Sequence, residues 1–121
     1  MDQTPALQLS TARLDRHRVA VVAGEIDIVT APALDVFLAR CLCDTANAAD
    51  ASDTGDLVVD LSGVSFMDAR GLTALLHADY LARDLGVRLR LAALPARVSW
   101  LLQVAGLDHH FSLAPVVPAD H

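Results

Sequence analysis

A run of five apolar residues over positions 19–23 (Val-Ala-Val-Val-Ala) constrains the fold of this chain more than any other feature. A strand with one face in water alternates apolar and polar residues, whereas this run has no polar position. Because both faces of such a strand must be covered, we expect it inside a sheet with helices packed on it. Residues 57–61 (Leu-Val-Val-Asp-Leu) predict a second strand of the same kind.

Three segments have the apolar period of helices that pack on a sheet through one face. The first begins at Val29 or Thr30, the second spans residues 68–85, and the third spans residues 95–106. The second is followed by a glycine and the third includes one at its end, which is the residue type favoured where a helix stops.

Weaker strand patterns over residues 7–14, 87–91 and 111–113 complete the sheet. The resulting order, β-β-α-β-α-β-α-β, predicts a single α/β domain. Its sheet should be mixed but mostly parallel, with four to five strands and three to four packed helices. The domain occupies residues 1–121, with a core over about 7–113, a flexible loop over about 47–55 and a loose tail over about 115–121.

Composition limits the partners and the chemistry of the chain. The net charge is −6 and all nine basic residues are scattered arginines, so there is no basic stripe for nucleic acid or an anionic membrane. The chain starts without a secretory signal, and its apolar runs are too short to cross a bilayer. It has no glycine-rich phosphate loop and no nucleophile elbow. We therefore expect a cytoplasmic binding protein, not an enzyme, with no cofactor and with neither nucleic acid nor a membrane as partner.

The two cysteines fall on opposite sides of the first predicted helix. Cys41 shares the apolar face with Leu34 and Leu38, whereas Cys43 lies on the far side. Residues two apart on a helix cannot form a disulfide with each other without unwinding it. Cys43 is thus a candidate for redox control through a disulfide with another molecule. The alternative is that both are unreactive thiols in a reducing cytosol.

The boundary between the second buried strand and the second helix carries Asp68, Ala69, Arg70 and Gly71. Asp68 fits the N-cap position, where its carboxylate accepts from the free N–H groups of the first turn. Gly71 is a poor helix former, and its missing side chain would let another backbone or a ligand approach. Arg70 adds a cation to a helix start that already favours anions. The alternative is an ordinary capped helix with one surface arginine.

Asp27 ends the stretch that follows the first buried strand. If the two buried strands are parallel neighbours, Asp27 and Ala69 lie at the same carboxyl edge of the sheet. Open α/β sheets bind ligands at that edge. Asp27 is therefore a candidate for the same site or, alternatively, a turn or cap residue of the first helix.

Three stretches of the chain resemble the STAS domain of anti-sigma-factor antagonists. They are VAGEIDIVTAPAL, LVVDLSGVSFMDARGLTALL and PARVSWLLQVAGLDHHF, in the order and at about the spacing of the family. The resemblance implies a protein that binds an anti-sigma factor, often itself a serine kinase, and so frees a sigma factor. The implied binding surface comprises Asp27, Asp68, Gly71 and Leu72, to which the helix boundary adds Ala69 and Arg70.

The family's phosphoacceptor is a Ser or Thr directly after the aspartate of Asp-Ser-Ser-Gly-Leu. The matching position here is Ala69, and Arg70 replaces the second serine. Since alanine has no hydroxyl, the resemblance carries over the binding surface without its phosphorylation switch. Ser65 and Thr73 are the nearest hydroxyls and thus the alternative phosphosites, although each is more simply a strand-end or helix-surface residue.

Trp100 is the single tryptophan of the chain, and it falls on the side of the third helix opposite the apolar face. Arg97 and Val104 lie on the same side. The pattern leaves two interpretations: an exposed contact patch, or burial against the chain that follows Leu113.

The neighbouring His109 and His110 follow Asp108. No third or fourth ligand is visible at a useful spacing, so the sequence favours a surface turn over a metal site.

Two other functions are compatible with the sequence. Domains of this shape also serve as scaffolds or accessory subunits of signalling complexes and of lipid or anion transport systems. The second of these functions is that of a nucleotide-binding module, which would use the anion site at the start of the second helix.

Overall fold

Strands and helices follow one another in the predicted order. A computed structural model of the chain describes residues 6–14, 17–48 and 55–114. Within these ranges the strands are β1 (Leu7–Leu14), β2 (His17–Ile26), β3 (Asp56–Met67), β4 (Arg88–Ala92) and β5 (Ser112–Leu113). The helices are α1 (Ala31–Asn47), α2 (Ala69–Leu85) and α3 (Ala96–Val104). The sheet has the order β1-β2-β3-β4-β5, antiparallel between β1 and β2 and parallel elsewhere.

Strand β2 lies inside the sheet; one face is buried in the main core, and the other face is partly covered, with Val21 and Ala23 half-buried. Ala20 and Val22 point into the main core, whereas Val19 joins Val58 and Ala92 in a smaller cluster on the other face. The expected coverage of the apolar run at positions 19–23 is therefore complete on the face toward the main core and partial on the other.

The main core lies between the sheet and the helices, and α1 and α2 also pack against each other. Leu34, Leu38 and Leu42 of α1 and Leu75 of α2 are fully buried. Each buried leucine contributes roughly 1.5–3 kcal/mol relative to an exposed one. This stripe of leucines fixes which face of each helix meets the sheet.

Strand β3 runs further toward the carboxyl edge than the sequence predicts. Strand β3 continues to Met67 through Ser62 and Ser65, which are exposed and break the apolar run. Its pairing with β2 nevertheless continues past two register shifts until Ile26 lies opposite Met67. The neighbouring strand, and not the local pattern, therefore determines where β3 ends.

The predicted flexible loop and loose tail fall mostly outside the described residues. At the borders of the loop, Asn47 still belongs to α1 and Gly55 directly precedes β3. In the described part of the chain, no helix is both long and apolar enough to span a membrane.

Candidate functional site

The ends of β2 and β3 bring two aspartates side by side. Ile26 pairs with Met67, and the next residue along each strand end is an aspartate, Asp27 and Asp68. The backbone N–H of Asp68 donates to the carbonyl oxygen of Ile26 at 3.2 Å, which joins the two chain segments. The expected meeting of these stretches at the carboxyl edge is therefore present. We call Asp27, Asp68, Ala69 and Arg70 the carboxyl-edge surface.

Asp27 holds the turn that leads into α1. Its Oδ1 accepts from the backbone N–H of Val29 at 2.9 Å and of Thr30 at 3.1 Å. The Thr30 hydroxyl accepts from the backbone N–H of Asp27 at 3.0 Å and donates to the carbonyl oxygen of Glu25 at 2.8 Å. Asp27 thus has the turn role that the sequence offered as an alternative. A contact of this half-buried residue with a partner stays a prediction.

Asp68 is the N-cap of α2, as its position before the helix predicts. Its φ and ψ are −117° and −168°, and its Oδ1 accepts from the backbone N–H of Arg70 at 2.9 Å. This bond satisfies one of the N–H groups that a helix start leaves without an intrahelical partner. The carboxylate also places a negative charge at the positive end of the helix dipole.

Ala69 and Arg70 are the exposed centre of the carboxyl-edge surface. Ala69 is the first residue of α2, and its carbonyl oxygen accepts from the Thr73 hydroxyl at 3.1 Å. The Arg70 side chain makes no hydrogen bond or ion pair with any described residue. A methyl group and a guanidinium are therefore what the start of α2 offers to another molecule.

Gly71 and Leu72 lie beneath this surface, which corrects the reason given for the glycine. A Cβ at Gly71 would lie 2.5 Å from Cγ of Met67 and 2.9 Å from Cγ2 of Ile26. The absence of a side chain at Gly71 therefore makes room for Met67 and Ile26 of the protein's own core, not for a partner. Leu72 is only 7% exposed and belongs to the core. Gly71 and Leu72 can support a contact indirectly, by holding the exposed residues above them in place. Their direct contact with a partner stays a prediction.

The remaining candidate hydroxyls and thiols lie where the sequence places them. Ser65 and Thr73 are both exposed. Cys41 is buried and Cys43 is exposed. Burial, and to a lesser extent the Asp44 carboxylate, raises the pKa of the Cys41 thiol to about 11. Cys43 is therefore the accessible thiol, while a redox role for it remains a hypothesis.

An exposed cluster that the sequence did not assemble borders the carboxyl-edge surface. The guanidinium carbon of Arg97 lies 4.8 Å from the ring centroid of Phe66 and 5.5 Å from that of Trp100. Val104 follows Trp100 by one helical turn and is 66% exposed. We call Phe66, Arg97, Trp100 and Val104 the aromatic patch. The helical period could group the three α3 residues, but no local signal could add Phe66 from β3.

A second contact missed by sequence reasoning involves Asp79, a buried carboxylate of α2. Its Oδ2 lies 3.0 Å from Nε2 of His110 and 3.1 Å from an Nη of Arg83. His110 thus ties the turn before β5 to α2. Among the described residues, no three His, Cys, Asp or Glu side chains come together as a metal would require. The predicted surface turn at His109 and His110 is present, and His110 contacts Asp79.

The family follows from comparison with known sequence families. A family model described as "Mlab, STAS domain" matches residues 9–118, which is nearly the whole chain. The chain belongs to the STAS-domain family. No curated protein matches its sequence.

Solved structures agree with this STAS assignment. An anti-sigma factor antagonist from Mycobacterium paratuberculosis is 26% identical, with a TM-score of 0.76, and the match covers 97% of this chain and 92% of that one. The anti-sigma factor antagonist SpoIIAA in its unphosphorylated form is 19% identical, with a TM-score of 0.64 and coverage of 90% and 88%. The murine anion transporter Slc26a9 is 19% identical with a TM-score of 0.57; the match covers 81% of this chain but 14% of the transporter. The predicted fold is therefore confirmed, and the same domain shape occurs in regulators and in a transporter.

Proposed function

We propose that this STAS domain is an anti-sigma-factor antagonist that binds an anti-sigma factor through the carboxyl-edge surface. Binding would free a sigma factor, and Ala69 would leave the contact without the usual phosphorylation switch. The observation that carries the proposal is the position of Ala69. It is the exposed first residue of α2, directly after the N-cap, at the point where the resemblance puts the phosphoacceptor.

Charge explains why this position suits a switch and why alanine removes it. Asp68 stands next to position 69, and Asp27 lies beside Asp68 across the paired strand ends. A phosphoserine at position 69 would add a further charge of about −1.5 to −2. It would also place three acceptor oxygens in a surface where Arg70 already stands against the two carboxylates of Asp27 and Asp68. With a methyl group there, the surface keeps one size and one charge.

The proposed partner is an anti-sigma factor, in the cytoplasm, that can itself be a serine kinase. The fit of the whole chain to an anti-sigma factor antagonist at 26% identity supports this class of partner. Binding of this kind needs no cofactor and no catalysis by the antagonist, since the affinity comes from the complementarity of the two surfaces.

The direct test is a calorimetric titration of the purified chain against each anti-sigma factor of the same cell. We expect one of them to bind with a micromolar or tighter Kd, on the order of −8 kcal/mol or more favourable. Where that anti-sigma factor is a kinase, incubation with ATP should leave the parent chain unmodified and its affinity unchanged. The Ala69→Ser variant should instead be phosphorylated and released.

Two results would contradict the proposal. The first is the absence of binding to any anti-sigma factor. The second is phosphate on Ser65 or Thr73 of the parent chain together with a weaker complex, since those hydroxyls would then replace the missing switch.

A second candidate function is that of an accessory subunit of a transport system. The description of the matching family model names Mlab, and Slc26a9 contains a domain of this shape. Affinity purification of the tagged chain from its own cell distinguishes the candidates, because a transport ATPase should be recovered in this case and a sigma-regulating kinase in the other. The nucleotide-binding alternative loses support, because the Asp68 carboxylate already occupies the start of α2 and would repel a phosphate.

A further inference from the structure

The aromatic patch presents side chains that are usually kept in a core. The chain has only five aromatic residues of the Phe, Tyr and Trp types, and two of them are in this patch. Phe66 is 38% exposed and Trp100 is 52% exposed. Exposed Trp and Arg side chains are typical of residues that dominate the affinity of protein interfaces.

Arg97 is held in one orientation within the patch. Its Nε donates to the backbone carbonyl oxygen of Met67 at 3.1 Å, and its guanidinium lies over the rings of Phe66 and Trp100. Its terminal nitrogens make no hydrogen bond with any described residue. A guanidinium fixed in this way is prepared for a carboxylate, since little side-chain entropy is left to lose.

The patch is continuous with the carboxyl-edge surface. Phe66 and Met67 directly precede Asp68, and the Arg97 side chain reaches the carbonyl of Met67. One partner can therefore cover both.

The charges of the combined surface indicate what that partner presents. Asp27 and Asp68 each use a carboxylate oxygen in hydrogen bonds to their own backbone turn. Arg70 and Arg97, in contrast, have guanidinium nitrogens without a described partner. Within the aromatic patch itself, Arg97 is the charged member, so the groups that the patch offers to an incoming protein are one cation and apolar side chains.

We propose that the anti-sigma factor docks an acidic segment on the aromatic patch, with a carboxylate on the terminal nitrogens of Arg97. An apolar side chain of the same segment would cover Trp100 and Val104. The inference rests on the proposed function, because it names the partner's chemistry at a second part of the same contact. It also assigns the patch a role that needs no phosphate, because its geometry does not involve position 69.

The test uses the full chain and the anti-sigma factor that binds it. Trp100→Ala and Arg97→Ala should each weaken binding about tenfold or more. Arg97→Lys should fall between Arg97→Ala and the parent, because it keeps the charge but loses the planar fork. Tyr80→Ala and Arg40→Ala are matched controls, since both side chains are exposed elsewhere on the helices, and should stay within about twofold of the parent. Rising salt should weaken the parent complex more than that of Arg97→Gln.

Folding and competing occupants are controlled separately. Each variant is used only if its melting temperature matches that of the parent; if Trp100→Ala fails this check, Val104→Asp tests the patch from its exposed end. Labelling the single tryptophan as 5-fluorotryptophan gives one fluorine resonance, which should shift when the anti-sigma factor is added.

Three results would overturn the inference or its basis. If the parent binds and the patch variants bind equally well, the inference fails while the proposed function stands. If the parent binds no anti-sigma factor, the proposed function fails first. If the fluorine resonance shifts with the concentration of the chain alone, a second copy covers the patch and the inference is wrong.

Discussion

The two ends of the parallel strands carry charge in opposite ways. At the amino end, the Asp56 side chain is 4% exposed, and basic side chains of described residues lie near it: Nδ1 of His17 at 3.8 Å, an Nη of Arg88 at 3.7 Å and an Nη of Arg90 at 3.8 Å. At the carboxyl end, Arg70 is exposed and makes no ion pair with a described residue.

This difference separates charges that stabilise the fold from charges available for binding. A buried carboxylate must be neutralised inside the molecule, because its hydration has been lost. An exposed guanidinium stays hydrated and can exchange water for a partner's carboxylate. Changes at the amino end should therefore alter the free energy of unfolding, whereas changes at the carboxyl end should mainly alter affinity.

The largest effect on stability is expected from Asp56→Ala. It should lower the free energy of unfolding by about 2–3 kcal/mol, because the contacts of the buried carboxylate with Arg88 and Arg90 are lost. Asp60→Ala is the control on the same strand, where a half-buried carboxylate accepts from the backbone N–H of Ser62 at 2.9 Å. It should cost about 1 kcal/mol. Urea denaturation measures both, and equal losses would contradict a special role for the amino end.

Gly71→Ala tests the carboxyl end of the strands from the core side, because Gly71 is buried beneath the exposed residues there. The added methyl group would press on Met67 and Ile26. The free energy of unfolding should fall by about 2 kcal/mol, as for other overpacked cores. Thr73→Ala, an exposed change on the same helix, should stay within about 0.5 kcal/mol. An unchanged unfolding midpoint in Gly71→Ala would mean that Met67 and Ile26 move aside without a cost in stability, which would contradict the expected overpacking.

Asp68 caps α2 and also lies in the proposed binding surface, and two variants separate these roles. Asp68→Ala removes the cap of α2 and should cost about 1 kcal/mol of stability. Asp68→Asn keeps an acceptor oxygen and should retain most of that stability while removing the charge. Denaturation and titration with the anti-sigma factor are then compared. Equal destabilisation by both variants would contradict the capping role.

The smallest effect distinguishes the two thiols of α1. At about pH 8, a thiol reagent should modify Cys43 quickly and Cys41 only when the protein unfolds, because reactivity follows exposure and the thiolate fraction. Burial favours the neutral thiol of Cys41 in the folded chain, so its contribution to stability is complete below about pH 9 and declines as the pH rises towards about 11. Cys41→Ala should flatten this part of the pH profile. Equal labelling rates for the two cysteines would contradict their placement.

Much of the fold could be predicted because it depends on local patterns. The unbroken apolar run of β2 indicates coverage on both faces, and the residue types at Asp68 and Gly86 mark the two ends of α2. The end of β3 could not be predicted, since Ser62 and Ser65 fall at the two register shifts and the strand continues only because the residues around them pair with β2.

The site was harder to predict because its contacts join distant segments. Ala69 and Arg70 could be placed from the helix start alone. The burial of Asp79 depends on His110, and the orientation of Arg97 depends on Phe66 and the carbonyl of Met67. The sequence marks Gly71 as special but does not show why, since single-sequence patterns do not reveal that Met67 and Ile26 approach its missing Cβ.

Titration of the proposed anti-sigma-factor partner with Ala69→Glu measures what a negative charge does at position 69, where the family carries its phosphate. The affinity should fall by about tenfold or more, with unchanged folding stability. Ala46→Glu, at an exposed alanine near the far end of α1, should bind within about twofold of the parent. Equal affinities for Ala69→Glu and the parent would contradict the claim that position 69 lies at the centre of the contact.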